Sequence, residues 1–293
     1  MLRIVQQHIG HFAMALAIAV SLPATAQEAG GRGWIDVTAV NIYDTNLGPA
    51  SSGTFHFFDN TNPLRALGFI DIDSVSNPTG SQFQQLVAYS TLPSLPSSNG
   101  AMSDATGNSF TTINGLHIDA GCGVSVTDRY CQGYGGVSTT SEAGTLGGAG
   151  FYNLVLGPHT GVSISAQSFV EVWLRDHCLL TCGNVDASVD VYSRFGTEDP
   201  KNPGFPSFGG IIVTDSNSLF LDSGQFSGTG SLLYDSRSSN LNIVYENTSN
   251  AEVIGRIRWE VSVSANAPVP EPSTYALMGL GVTLLLCRRR GRG

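Results

Sequence analysis

The chain holds one lysine, Lys201, and few charges of either sign: 13% of its 293 residues are charged, about half the usual share. Basic residues are scarcest where a nucleic-acid surface would need them. Arg3 lies near the start and Arg288, Arg289, Arg290 and Arg292 at the end, leaving nine basic against 22 acidic residues between 27 and 266, a net of −13. Without a basic stripe to neutralise phosphates, nucleic-acid binding has no electrostatic footing. Helical periodicity is also missing. No stretch between the two ends keeps apolar residues at i, i+3, i+4 and i+7 for three turns with caps, and 35 glycines with 13 prolines favour turns over long helices. There is no G-x-S-x-G elbow, and the glycine run Gly144–Gly150 lacks the Gly-Lys-Ser of a phosphate loop, which makes it a flexible connection. His56, His117, His159 and His177 have no flanking signature of a general base. No catalytic residue is assigned, and the chain is expected not to be an enzyme.

What is present begins with two distinctive ends. Residues 1–26 have the parts of a secretory signal peptide: Arg3, an apolar run from Phe12 to Leu22, and the small-residue site Ala24-Thr25-Ala26. The 11-residue run is well short of the roughly 20 that a spanning helix needs. At the other end, Ala267-Pro268-Val269-Pro270-Glu271-Pro272-Ser273-Thr274 precedes an apolar run, Tyr275 to Cys287, and then Arg288-Arg289-Arg290. Prolines on both sides of Glu271 forbid regular helix or ladder and hold the tripeptide extended, as a processing enzyme's substrate would be. Thirteen helical residues reach about 20 Å against a hydrocarbon core of about 30 Å, enough for a short anchor in a thinned bilayer with the arginines on the cytoplasmic side.

This ending closely resembles the PEP-CTERM sorting tail of exported proteins of Gram-negative bacteria. The resemblance covers about the last 25 residues. It implies recognition by exosortase, a membrane-embedded cysteine transpeptidase, with Pro270, Glu271 and Pro272 as the recognition element, Tyr275–Cys287 as a transient inner-membrane anchor, and Arg288, Arg289 and Arg290 as the stop-transfer cluster. It further implies delivery to the cell surface or matrix, where proteins with this tail accompany extracellular polysaccharide and biofilm. The expected organisation is a signal peptide at 1–26, a body at 27–266 and a sorting tail at 267–293.

The body reads as strands. Ile257, Trp259, Val261 and Val263 alternate with polar neighbours, which puts the apolar side chains on one face. Leu241, Ile243 and Tyr245 precede them across the turn cluster Asn247–Asn250, so a hairpin is expected. Val162–Ala166, Val170–Leu174 and Val185–Val191 read as successive strands of one sheet, with weaker strands near Trp34–Tyr43, Thr54–Phe58, Ala66–Ile72 and Phe83–Tyr89. Ser94–Ser109, Gln132–Gly150 and Gly196–Gly210 read as long loops. The expected fold is all-β: an antiparallel β-sandwich, jelly-roll or immunoglobulin-like, with a single body. Many proteins with this tail carry a phrase like Leu156-Gly157-Pro158-His159-Thr160 before a strand and a late strand ending like Tyr245-Glu246-Asn247-Thr248-Ser249, a loose resemblance in the body that specifies no activity.

The chemistry-bearing residues are sparse. Four of five cysteines fall in the body, an even number suited to two disulfides in an oxidising compartment. Three connectivities are open; local pairs are the simplest, with Cys122–Cys131 closing a Gly-rich loop and Cys178–Cys182 clasping a hairpin turn. His177 with Cys178 and Cys182 could start a zinc site, but the spacing is not a strong zinc pattern. Asp71 and Asp73, with Asn77, offer oxygen ligands, yet Ser76 stands where an EF-hand needs glycine. They read, like Asp186 and Asp190, as solvated carboxylates. No metal and no cofactor is expected. Trp259 falls on the apolar side of its strand. Trp173 falls on the polar side of its own, with Glu171 and Arg175, and is the candidate ring on which a sugar's apolar face would stack. The expected role is a structural or adhesive surface component associated with extracellular polysaccharide; the alternative is a carbohydrate-binding module or glycoside hydrolase on the same sandwich.

Overall fold

The computed structural model describes residues 28–48, 51–57, 64–74, 88–90, 99–103, 109–114, 116–124, 128–138, 154–175, 185–198, 210–223 and 232–267. Among them are fourteen strands: β1 (Glu28–Asp44), β2 (Phe55–Phe57), β3 (Leu64–Ser74), β4 (Ala88–Ser90), β5 (Asn99–Ser103), β6 (Phe110–Asn114), β7 (His117–Val124), β8 (Asp128–Ser138), β9 (Leu154–Leu156), β10 (Thr160–Arg175), β11 (Asp186–Thr197), β12 (Ile212–Asp222), β13 (Leu232–Asn247) and β14 (Val253–Asn266). They form two antiparallel sheets. One runs β13-β10-β1-β7-β6-β5; the other runs β12-β11-β14-β8-β3-β4, with β9 on the free half of β14 and β2 beside it. No helix among the described residues is long and apolar enough to cross a membrane. The signal peptide, the sorting tail and the loop Gly144–Gly150 lie outside the described residues.

The all-β sandwich agrees with the strand pattern, but the connections differ from those expected. Among the described residues β13 pairs only with β10, while β14 pairs with β11, β8 and β9, so Leu241–Tyr245 and Ile257–Val263 do not form a hairpin. The chain instead crosses from one sheet to the other at 248–252. Buried Asn247 organises that crossing. Its Nδ2 donates to the carbonyls of Gly157 and Ala251, and its Oδ1 accepts from the Ser249 amide and hydroxyl. His159, at φ 53°, brings its amide to the Ser249 carbonyl and its Nε2 within 2.8 Å of Asn250 Oδ1. The phrases around Pro158 and Asn247, distant in sequence, therefore meet at one corner.

Likewise, Val162–Leu174 and Val185–Val191 are not neighbours in one sheet. The first is a single sixteen-residue strand, β10, in one sheet, and the second lies in β11 of the other. Two expected loops contain strands. Gln132–Ser138 is the second half of β8, where glycines at 133, 135 and 136 erase the apolar alternation, and Asn99–Ser103 is β5.

The core lies between the sheets. Ile35, Ile118, Ile164, Val170, Val172 and Leu241 from one face Val189, Val191, Phe195, Trp259, Val261 and Val263 from the other, all essentially inaccessible to solvent. At the centre, two glycines of β1 take the side chains of the facing sheet onto bare backbone. A Cβ on Gly31 would stand 2.5 Å from Val189, and one on Gly33 2.6 Å from the same residue, so glycine is what lets the valines of β11 and β14 reach the β1 backbone. This also explains why β1 begins six residues before the expected Trp34: Gly30, Gly31 and Gly33 carry no apolar signal.

At one side the edge strands β12 and β13 meet. Asn217 Nδ2 donates to Ser168 Oγ and to the Arg237 carbonyl, and the Asn242 amide donates to Asp215 Oδ2 at 2.8 Å. Near the opposite side, Cys122 of β7 and Cys131 of β8 form a disulfide with their Cα atoms 5.8 Å apart. It closes the short segment between these two strands, as expected, and because β7 and β8 belong to different sheets it also ties the sheets together through the core. Cys178 and Cys182 lie outside the described residues, and the strands that flank them belong to different sheets.

Cutting the Cys122–Cys131 tie frees a short loop in the unfolded chain. Its removal in Cys122→Ala/Cys131→Ala is expected to cost about 2–3 kcal/mol by chain entropy, read as a lower denaturant midpoint. Gly33→Val is expected to be at least as damaging, since overpacking of a close sheet contact costs about 1–3 kcal/mol and here meets three valine methyls at once.

Candidate functional site

The same alternation that buries Val170, Val172 and Leu174 turns Phe169, Glu171, Trp173 and Arg175 outward from β10. The register then sets what stands beside them. Trp34 of β1 is opposite Phe169, Arg32 opposite Glu171, and Gly30 opposite Trp173, while Tyr234 of β13 flanks Trp173 on its other side. Trp34 stacks on Phe169, with ring centroids 6.1 Å apart, and tilts against His117 of β7 at 5.8 Å. Trp173 packs over Gly30, where any side chain would collide with its indole. The outer face thus carries a band of rings across four strands. Trp34, Phe169 and Trp173 are half-buried, and Tyr234 is 56% exposed. Four residues of strand separate the rows of Trp34 and Trp173, about 13 Å, which leaves room for more than one sugar ring.

Polar groups sit among the rings. Arg32 makes a two-point bond to Asp119, Nε to Oδ1 at 3.1 Å and Nη2 to Oδ2 at 2.6 Å, and its guanidinium lies 5.6 Å from the centre of the Phe110 ring. The bond to Asp119 holds the guanidinium above its ordinary pKa. Tyr234 donates its hydroxyl to Glu171, and Arg175 reaches Glu28 at 3.2 Å. Rings that present apolar faces beside fixed carboxylates and guanidinium groups can take a polyhydroxylated ligand, stacking its C–H face and bonding its hydroxyls.

At the far end of this face Tyr43 covers Gly161 and donates to Glu246 at 2.9 Å. Burial, reinforced by that carboxylate, pushes its phenol up to about 12.

Other expected residues are placed differently. Trp259 is buried in the core. Asp71 and Asp73 stand on the outer face of the other sheet beside Gln132 and Tyr130; Asn77 and His177 lie outside the described residues. No group of three metal-ligating side chains occurs among the described residues. Asp186 and Asp190, on that same outer face, have carboxyls raised by burial, with Asp222 adding to the effect at Asp186. Trp34, Phe169, His117 and Tyr234 are ring residues that the alternation did not single out. The signal that could have found Phe169 was broken by Ser168, which is buried but satisfied by the Ser239 carbonyl, so the alternation continues through a polar residue.

Fold and face together define an antiparallel β-sandwich with a half-buried aromatic band on one outer surface. The family model of the PEP-CTERM protein-sorting motif matches residues 268–290. The chain therefore carries a PEP-CTERM sorting motif, which implies export and handling by exosortase. No curated protein matches the chain. Among solved structures it is similar to the N-terminal CBM22-1-CBM22-2 tandem domain of Xyn10C from Paenibacillus barcinonensis, at 8% identity over 84% of this chain and 79% of that one, with a TM-score of 0.14. It is similar also to the tailspike protein 4 enzymatically active domain of bacteriophage CBA120, at 10% identity over 45% and 16% with a TM-score of 0.10. A third is TmCBM61 in complex with β-1,4-galactotriose, at 14% identity over 37% and 66% with a TM-score of 0.06. Scores this low carry no argument about function.

The raised phenol of Tyr43 has a consequence for stability. Its folded pKa lies above the unfolded value near 10, so the folded state keeps its proton longer, and the contribution, complete below pH 10, is lost as pH rises toward 12. Thermal melts at pH 9 to 12 should fall steeply for the native protein and less steeply for Tyr43→Phe.

Proposed function

We propose that the chain is exported, held briefly in the inner membrane by Tyr275–Cys287, and cut by exosortase at Pro270-Glu271-Pro272, and that its body then works at the cell surface or in the matrix as a non-catalytic component that holds extracellular polysaccharide. The sorting motif supports the route. The ring band of Trp34, Phe169, Trp173 and Tyr234 supports the polysaccharide contact, because it is a contiguous, partly exposed aromatic patch of the kind that marks ligand-binding surfaces. The two raised carboxyls, Asp186 and Asp190, stand on the other sheet and do not face this band, which favours holding a glycan over cleaving it.

Two measurements test this. Glu271→Ala in the native host should leave the tail uncut and the protein in the inner-membrane fraction; release of a trimmed body from that variant would refute the route. A glycan array with the mature protein should find a neutral polysaccharide ligand whose affinity drops about tenfold or more in Trp34→Ala and Trp173→Ala, the size expected for one lost stacking contact of about 1.4 kcal/mol. Silence on the array, or binding that both variants retain, would refute the aromatic face.

A further inference from the structure

On the outer face of the second sheet, which also carries Asp71, Asp73, Asp186 and Asp190, three arginines of an acidic protein come together on β11 and β14. Arg194 of β11 is directly opposite Arg258 of β14, and Arg256 lies two residues along β14 on the same face. Three of the nine basic residues between 27 and 266 thus occupy one row and its neighbour, although the chain carries a net charge of −9. Like charges directly opposite across strands repel.

The two facing guanidinium groups are held differently. Arg258 is paired with Glu260, a buried carboxylate that also accepts from the Tyr134 hydroxyl at 2.5 Å, and Arg258 donates to that same hydroxyl at 3.1 Å. These bonds fix the Arg258 guanidinium in place and use up its counter-ion. Arg194 has no carboxylate partner among the described residues. Its Nε donates to Thr214 Oγ1 at 3.2 Å, and its guanidinium lies 4.8 Å from the centre of the Tyr192 ring. Burial and the neighbouring Arg258 together hold it below its ordinary pKa. A partly desolvated, ring-supported guanidinium next to a second fixed one is a half-built site for an anion, since two such forks accept an oxyanion from two sides.

We propose that Arg194, Arg258 and Arg256 form a second binding face, on the sheet opposite the aromatic band, for the carboxylates of an acidic polysaccharide. The polymeric occupant rests on the reading of the body as a polysaccharide holder; the anion site itself rests only on the arginine cluster. The Arg194–Arg258 row runs across the strands on a partly exposed outer face, the geometry that suits repeated carboxylates along a chain. At physiological salt the screening length is about 8 Å, so the acids elsewhere on the body do not cancel the local attraction.

The test is affinity electrophoresis of the mature protein in gels containing polygalacturonate, its fully methyl-esterified form, or neither. Polygalacturonate should retard the native protein, and the retardation should fall at least fivefold in Arg194→Gln and in Arg256→Gln, while the esterified polymer shows no such dependence. Arg194→Gln relieves a like-charge pair, so its melting temperature should not drop; Arg256→Gln serves if Arg194→Gln does not fold. Retardation unaffected by either variant, or equal in the esterified gel, would overturn the site. A thermal shift with inorganic phosphate in the absence of any retardation would overturn the polysaccharide occupant. Trp34→Ala/Trp173→Ala should leave the charge-dependent part unchanged, so that a failure of the aromatic face is read separately.

Discussion

A strand has two faces, and what one face buries dictates what the other must show. In this protein the constraint acts most strongly where β1 lies between β10 and β7 and beneath the valines of the facing sheet. Gly31 and Gly33 admit Val189, Val191, Val261 and Val263 on the inner side, which leaves Arg32 and Trp34 no direction but outward. The register with β10 then brings Trp34 to Phe169 and Trp173 to the bare backbone of Gly30. The ring band is thus a by-product of how tightly the sheets close. A looser core, or a one-residue slip in β1, would scatter the same side chains between inside and outside.

Much of this is legible in the order of the amino acids. The long alternating runs from Val162 to Leu174 and from Ile257 to Val263 announce strands because each places its apolar residues on one side, and counting along β10 assigns Trp173 to the polar side. What stays hidden has specific causes. Glycines in β1 and β8 carry no hydropathy, so the first strand reads as shorter than it is and the second half of β8 reads as a loop. Ser168 and Asn217 are buried yet fully engaged through their donor groups, which breaks an alternation that the backbone nevertheless keeps. Pairing between sheets is beyond reach, since a turn cluster such as Asn247–Asn250 looks the same whether the chain returns to its neighbour or crosses to the opposite layer. The difference lies in Asn247 bonding to Gly157, ninety residues away.

The two outer faces have different chemical characters. One offers rings with balanced charge, Arg32 on Asp119 and Arg175 on Glu28. The other sets Arg194 against Arg258, with tyrosines beneath them and the nearest carboxylate already bound to Arg258. Between them the Cys122–Cys131 bond and the shared core keep the sheets at a fixed separation, so whatever meets one face is held at a constant distance from whatever meets the other.

The carboxylate of Asp215 on the Asn242 amide bears on how copies of the protein coexist. A long outer strand such as β13 offers a ladder of unfilled donors, the usual template on which a second chain zips and fibres begin. Here Asp215 occupies one of those donors from the facing sheet, and Asp235 occupies the amide of Ser236 from within the strand itself. Two of the donors on that strand are thereby taken, and the carboxylates that take them leave less of the ladder for a second chain to zip onto.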